Sequence, residues 1–295
     1  MEFDHFAVGE VNRCRAITGS VAGKGPNVAH AAATLGARTV VVGFIGGHTG
    51  QLAMRDLRRH GVRCNFVRLP APTRVLTTIL DRSNGHVTEL VEEAPQPDRK
   101  AWRAFHRRFQ AQLPRASILT ISGTLLPGAP ATIYRDLARA ATARGVPVLI
   151  DSQKAPLLHA LGCRPLLAKL NVEELGATLG RELRTPRAIV AGARELLGRS
   201  AQHVLVTHGV RGAWLVAGKE AWHLQQPRVK TINPIGSGDS VTAGIAVGLL
   251  KGQPMLDAVA LGIACGTANA MTLTPATFAP QVVRELVKKV RVKSL

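Results

Sequence analysis

The chain has 295 residues and carries 38 Lys and Arg against 19 Asp and Glu, a formal charge of +19. Hydrophobic residues make up 46% but aromatics only 4%, so a sizeable core must be Ala, Val and Leu, with small helices packing closely on a sheet. The basic balance points to anionic partners, but no Lys/Arg block reaches the length of a nucleic-acid tail, stacking aromatics are scarce and no apolar run approaches a membrane span; the expectation is no nucleic acid and no membrane.

Most arginines, including the dense stretch Arg103 to Arg108, read as solvated surface. Cys14, Cys64, Cys163 and Cys265 stand apart with no CxxC motif, and Met1 to His5 lack the regions of a signal peptide. The reading is a cytoplasmic protein with reduced thiols.

Taken in chain order, Asn27 to Leu35 is a helix pattern stopped by Gly36. Thr39 to Ile45 is a continuous apolar run, as in strands buried on both faces of a parallel sheet. A helix from about Gln51 to His60 follows. Leu76 to Leu80 and His86 to Val91 flank Asp81-Arg-Ser-Asn-Gly85, a hairpin with Asn-Gly chemistry. That hairpin interrupts the strand–helix alternation, so residues 62–95, with about 1–20, read as a small β flap.

Alternation then resumes. Asp98 is an N-cap for a helix with Trp102, Phe105, Phe109 and Leu113 on one face. Strands are expected at Ser117 to Ile121, Val146 to Ile150, Leu166 to Lys169 and His203 to Thr207, with helices at Ala131 to Arg144 and Ala188 to Leu197. A hairpin at Ala213 to Val216 and Ala221 to Leu224 precedes three helices, about Ser237 to Leu250, Leu256 to Met271 and Pro280 to Lys289. Such alternation implies an open parallel sheet covered on both faces, binding ligands beyond its strand C-termini. Ser122, Asp151, Asn171, Thr207 and the turn at Gly236 should therefore converge.

The strongest local signal is Asn233-Pro-Ile-Gly-Ser-Gly-Asp239 opening a helix. Gly236, Ser237 and Gly238 suit an anion hole at the helix N-terminus, where a phosphate gains charge in transfer. Asp239, in the first turn, can accept the proton of an attacking hydroxyl. Alone, the segment reads equally as a plain turn with a helix-dipole carboxylate. Ala22-Gly23-Lys24-Gly25-Pro26-Asn27 is a second signal, a lysine between glycines able to reach a phosphate, but it is not a P-loop.

Both segments, in this order, resemble the PfkB (ribokinase-like) carbohydrate kinases across nearly the whole chain. Gly23-Lys24-Gly25 with Asn27, Ala31 to Gly36 and Gly43 to Gly50 is similar to the family's N-terminal signature, and Gly236 to Gly244 to its C-terminal one. Ser122-Gly123-Thr-Leu-Leu-Pro-Gly128, Lys169-Leu-Asn171-Val-Glu-Glu174-Leu175 and Thr207-His-Gly209-Val-Arg-Gly212-Ala213 resemble its internal segments. The resemblance implies one α/β domain over residues 1–295, a three-layer α/β/α fold with a mostly parallel sheet and a β lid.

It also implies ATP and Mg²⁺, with Asp239 as general base. Lys169, Asn171, Thr207, Gly209, Gly212 and Asn269 would line the nucleotide, and Asn171 and Glu174 would help organise the metal. Gly9-Glu-Val-Asn12-Arg13 and Thr73-Arg74 resemble the 1-phosphofructokinase and tagatose-6-phosphate kinase branch. That branch implies a hexose phosphate whose existing phosphate is held by Lys24 and Arg74, with Gly23, Asn27, Ser122 and Gly123 also at the substrate. Flap edges pair in this family, so a homodimer is one expected assembly. Kinases of unphosphorylated sugars or nucleosides are the alternative within the family, but they would leave Lys24 and Arg74 without a phosphate to hold.

Four departures stand out. The branch begins with an apolar strand ending in Asn-Pro-x-x-Asp, whereas Met1-Glu-Phe-Asp-His-Phe6 aligns after that motif. The expected consequences are a sheet gap with unpaired backbone groups, one substrate carboxylate fewer, and weakened activity or a binding-only role. His48, Ala22 and Leu170 replace residues the family more often carries as Asp, Gly and Pro; no catalytic role falls to His48.

Overall fold

The structure, a computed structural model, describes residues 1–295. The chain opens with β1 (Glu2–Phe3), then α1 (Lys24–Thr34), β2 (Val40–Gly46), α2 (Gly47–Arg59), β3 (Arg63–Leu69), β4 (Leu76–Asp81) and β5 (Val87–Val91). Next come α3 (Arg99–Gln112), β6 (Leu119–Ser122), α4 (Ile133–Thr142), β7 (Val148–Asp151), α5 (Lys154–Leu161) and β8 (Leu167–Asn171). The remainder is α6 (Val172–Leu179), α7 (Pro186–Leu197), β9 (Val204–Thr207), β10 (Ala213–Ala217), β11 (Glu220–Gln225), α8 (Ser237–Leu250), α9 (Met255–Ala270), α10 (Pro280–Val287) and β12 (Arg291–Ser294).

Seven strands form the main sheet in the order β12-β11-β10-β9-β8-β7-β6. β6 to β9 run parallel, and β10 to β12 continue antiparallel. Side chains alternate across the sheet, which creates three layers. Val148, Ile150, Ala168, Leu170, Val204 and Val206 face one side, where α3 to α7 bury them. Leu149, Leu167 and Leu205 face the other, against α8 and α9. Apolar on both faces, these strands are essentially closed to solvent. No helix is long and apolar enough to cross a membrane.

The Ala- and Gly-rich composition is spent in α8 and α9, which are apolar nearly all round and buried accordingly. Their backbones touch. A methyl group on Gly244 would lie 2.7 Å from the Gly262 Cα, and one on Gly262 would lie 2.6 Å from the Val241 carbonyl oxygen. Gly262→Ala should therefore cost about 1–3 kcal/mol by overpacking, read as a lower urea midpoint. An unchanged midpoint would refute the close approach.

The N-terminal third departs from expectation. Thr39 to Ile45 reads as an interior strand of the main sheet, but β2 pairs only with β3, in a separate two-stranded parallel sheet. β6 ends the main sheet with one edge unpaired, and α1 packs across both β2 and β6. The sheet is thus broken between β2 and β6, two strands of interior character, which is the expected sheet gap. Val40, Val42 and Phe44 are only half-buried in consequence.

The flap is also narrower than residues 62–95. β3 belongs with β2, and the flap is β1-β4-β5, with β1 parallel and β5 antiparallel to β4. Between β1 and α1, an isolated bridge from Glu2 to Ala16 is the one strand-like pairing. Asp98 caps α3 as expected, its Oδ1 accepting from the Ala101 N–H at 2.6 Å.

Candidate active site

Register gathers the site. In β7 and β8, Asp151, Lys169 and Asn171 share parity with Leu149 and Leu167, so they lie on the α8 face. Thr207 does the same with Leu205 in β9. Ser122 pairs with Asp151, Asp151 with Lys169, and Asn171 with Thr207, so the strand ends lie level. Opposite them, α8 begins at the turn Gly236-Ser237-Gly238.

That turn is shaped by contact. Gly236 is left-handed at φ 78°, and a side chain there would meet Pro275 at 2.7 Å. A Cβ on Gly238 would sit 2.9 Å from Lys169 Nζ, so an ammonium lies against the turn. The N–H groups of Gly238 and Asp239 have no acceptor within the protein. A helix N-terminus with free donors and an adjacent cation is an anion site.

Asp239 is 6% exposed, and its Oδ2 accepts from Asn27 Nδ2 at 2.7 Å. Burial pushes its carboxyl up and nearby Asp151 adds to that. The Asn27 hydrogen bond, Lys169 and Lys24 pull back, leaving it at about 6. A carboxylate poised there is ionised at neutral pH yet basic enough to take a proton.

Behind it lies a buried ion-pair network. Asp151, 0% exposed, accepts from Lys24 Nζ at 3.0 Å through Oδ1. Its Oδ2 accepts from Lys169 Nζ at 2.7 Å and from the Thr242 hydroxyl at 3.2 Å. Burial raises the Asp151 carboxyl, but Lys169 and Lys24 outweigh it and hold it below the usual carboxylate range. Lys24 also donates to Glu174 Oε1 at 2.9 Å. Burial pulls the Lys24 ammonium down, but Asp151 and Glu174 outweigh it and hold it above the ordinary lysine value.

Of the expected residues, Lys24, Lys169 and Glu174 are joined by ion pairs directly or through Asp151, and Asn27 is joined to Asp239 as a separate pair. Gly23, left-handed at φ 116°, starts α1 beside them. Gly123 is held by its carbonyl, which accepts from the Tyr134 and Ser152 hydroxyls, each at 3.1 Å. Ser122 Oγ is buried with no partner. Gly209 and Gly212 bound a short turn after β9, with Gly212 at φ 94°. An open crevice of about 810 Å³ lies alongside, lined by Val172, Gly176, His208 and Arg211 among others.

Three expected roles meet a different geometry. Asn269 is 1% exposed; its amide donates to the Ile235 carbonyl and Ser237 Oγ, and its oxygen accepts from Ser240 Oγ and the Ala276 N–H. Every hydrogen-bonding position is spent bracing the glycine turn, which leaves none for an adenine. Asn171 and Glu174 form a reciprocal capping box at the start of α6. With Lys24 on the other Glu174 oxygen, this pair is a helix cap and ion-pair partner, not a ready metal cage, and no group of three metal-ligating side chains gathers anywhere. Arg74 makes no ion pair or side-chain hydrogen bond; it follows Thr73, whose hydroxyl accepts from the Gly46 N–H at 2.9 Å.

Asp151 converges on the site as its strand-end position predicts, but its pairing with both lysines has no sequence signal, and neither do Thr242 and Tyr134. Burial pushes the Tyr134 phenol up to about 12, so it stays neutral.

A carboxylate base, an anion-holding turn, the buried Lys169 and the half-buried Lys24 at the strand ends of an open α/β sheet define a class: enzymes that move a phosphoryl group onto an alcohol. The chain belongs to the pfkB family of carbohydrate kinases, whose profile matches residues 1–280. It is 29% identical over 292 residues to the 1-phosphofructokinase of Bacillus subtilis, covering 99% of this chain and 94% of that one. It is 27% identical over 271 residues to the tagatose-6-phosphate kinase of Staphylococcus epidermidis, covering 91% and 87%. The structure of phosphofructokinase-2 from Escherichia coli in complex with fructose-6-phosphate superposes with a TM-score of 0.86 at 26% identity, covering 98% and 93%.

Proposed function

We propose that this carbohydrate kinase transfers the γ-phosphoryl group of ATP to a hydroxyl of a hexose phosphate. The observation that carries the reading is Asp239, a buried carboxylate at about 6, beside the free N–H groups of Gly238 and its own backbone. Asp239 takes the hydroxyl proton while the turn holds the phosphoryl oxygens. The phosphorylated acceptor is supported by the relatives named for fructose and tagatose phosphates. Lys24 and Arg74 are the cations for its phosphate. Lys24 must then exchange Asp151 and Glu174 for that phosphate, while Arg74 is uncommitted.

Mg²⁺ keeps most of its water and rides on nucleotide phosphates, so one carboxylate suffices, and Glu174, whose side chain is 13% exposed, supplies it without a cage. Bound there, the ion would neutralise charge on the transferring group. The nucleotide lies along Lys169, Thr207, Gly209 and Gly212. A homodimer through the flap is supported by β5, exposed throughout with Leu90 at 56% and Val91 at 53%. We read the setting as cytoplasmic, where ATP and sugar phosphates meet. The broken sheet favours a second reading, a weak catalyst that mainly binds these ligands.

The test is ATP consumption over fructose 1-phosphate, fructose 6-phosphate, tagatose 6-phosphate, free fructose, ribose and a nucleoside. Turnover should require a phosphorylated hexose. It should also fall below about pH 6, because the ionised Asp239 is the active form and protonation removes it. Turnover only on unphosphorylated acceptors refutes the hexose-phosphate reading; binding without turnover selects the second one.

A further inference from the structure

Away from the strand ends, α2 and β3 form an open groove of about 630 Å³ lined by Gln51, Met54, Arg55, Arg58, Arg59 and Arg68. Gln51, Arg55 and Arg59 recur every fourth residue along α2, and Met54 and Arg58 form the adjacent ridge. Arg68 comes from β3, on which α2 packs. All four arginines are exposed, and none makes an ion pair or a side-chain hydrogen bond. The one acid on α2, Asp56, is committed elsewhere, its Oδ2 accepting from the Val21 N–H at 2.8 Å and its Oδ1 lying 3.6 Å from His60 Nε2. Four guanidiniums of like charge around one concavity repel one another until an anion enters.

We propose that this groove binds a small polyphosphate anion, such as the phosphate chain of a nucleotide. Guanidinium forks match phosphate oxygens two at a time, and four of them suit a ligand of three or more charges. A small ligand is favoured over a nucleic acid because the groove is short and no aromatic side chain lines it for a base to stack on. The inference is independent of the reaction proposed above, since none of these residues belongs to the site at α8.

The test is calorimetric titration of the full chain with inorganic tripolyphosphate at fixed ionic strength. It compares the wild type with the triple variant Arg55→Ser, Arg59→Ser, Arg68→Ser. The wild type should show one more tripolyphosphate site than the variant, with at least ten-fold loss of affinity for it, while basal kinase turnover and thermal midpoint are unchanged. Identical isotherms would overturn the proposal. So would equal competition by sulfate at matched ionic strength, the result of an adventitious ion only, or tighter arginine-dependent binding of an RNA oligonucleotide. If the triple variant fails to fold, Arg68→Ser alone must still weaken the same site.

Discussion

Asp239→Asn should lower turnover by roughly 10²- to 10⁴-fold and, at the same time, make the protein more stable at pH 8. The two effects share one cause. The residue is 6% exposed, so its charge is costly to fold, and its carboxyl is raised to about 6 against an ordinary 3.8. A shift of about 2 units corresponds to about 3 kcal/mol of destabilisation once the group is ionised. Because the folded value is the higher one, this stability is present at low pH and is lost as pH rises through 6. Asparagine removes the penalty while its Oδ1 still accepts from Asn27 Nδ2. The gain should be full at pH 8 and about half as large at pH 5, measured by urea unfolding of both proteins. ATP binding should stay near wild type. Wild-type turnover would remove Asp239 from the chemistry, and equal stability at pH 8 would remove the claim that its charge is strained.

Asp151→Ala should be the most destabilising single change near the site, by about 3–5 kcal/mol, because it strands Lys169 as a buried cation without a carboxylate. Lys24 retains Glu174, so the loss falls mainly on Lys169. Adding Lys169→Met should recover much of the stability by removing the stranded charge. The substitution also carries a kinetic signature. Asp151 is the like charge that raises Asp239, so its removal should move the acid limb of the pH–rate profile to lower pH. A merely structural role would leave that limb in place. If the limb is unmoved and the double variant is no more stable than Asp151→Ala, the network described around Asp151 is wrong.

The C-terminal two thirds was the more legible part. Runs such as Val148-Leu-Ile150 and Val204-Leu-Val206 are apolar on both faces, and a strand so composed has nowhere to go but the centre of a covered sheet. The polar residue ending each run then marks the ligand edge. The same reasoning misplaced Val40 to Ile45, whose composition is interior but which pairs with β3 alone. β3 alternates polar and apolar residues, which let it pass for part of the flap. β12, Arg-Val-Lys-Ser, is an exposed edge strand with no hydrophobic signature, so only its pairing with β11 identifies it. α5 was missed because Pro156 sits within a short run after a strand.

The site followed the same division. The glycine turn and Asp239 are contiguous and could be read together. That Lys24 would be neutralised by Asp151 and Glu174, 127 and 150 residues further on, could not. A lysine between glycines advertises a phosphate, and the same charge is satisfied in the folded chain by carboxylates. Asn269 shows the same limit: nothing in the sequence near it announces the partners Ile235, Ser237, Ser240 and Ala276 that occupy its carboxamide.

The break between β2 and β6 has a mechanical side. The β2–α2–β3 unit is joined to the main sheet by side-chain packing through α1 and α3, with no ladder of backbone hydrogen bonds across the seam. Packing without a ladder opposes sliding less than paired strands do. The unit's two tethers lead straight to the acceptor side: Asp56 holds Val21 just ahead of Lys24, and Gly46 and Thr49 hold Thr73 beside Arg74. A slip at the seam would therefore change the spacing between the two cations proposed for the sugar phosphate, because those contacts belong to this unit and Asp239 and the glycine turn do not.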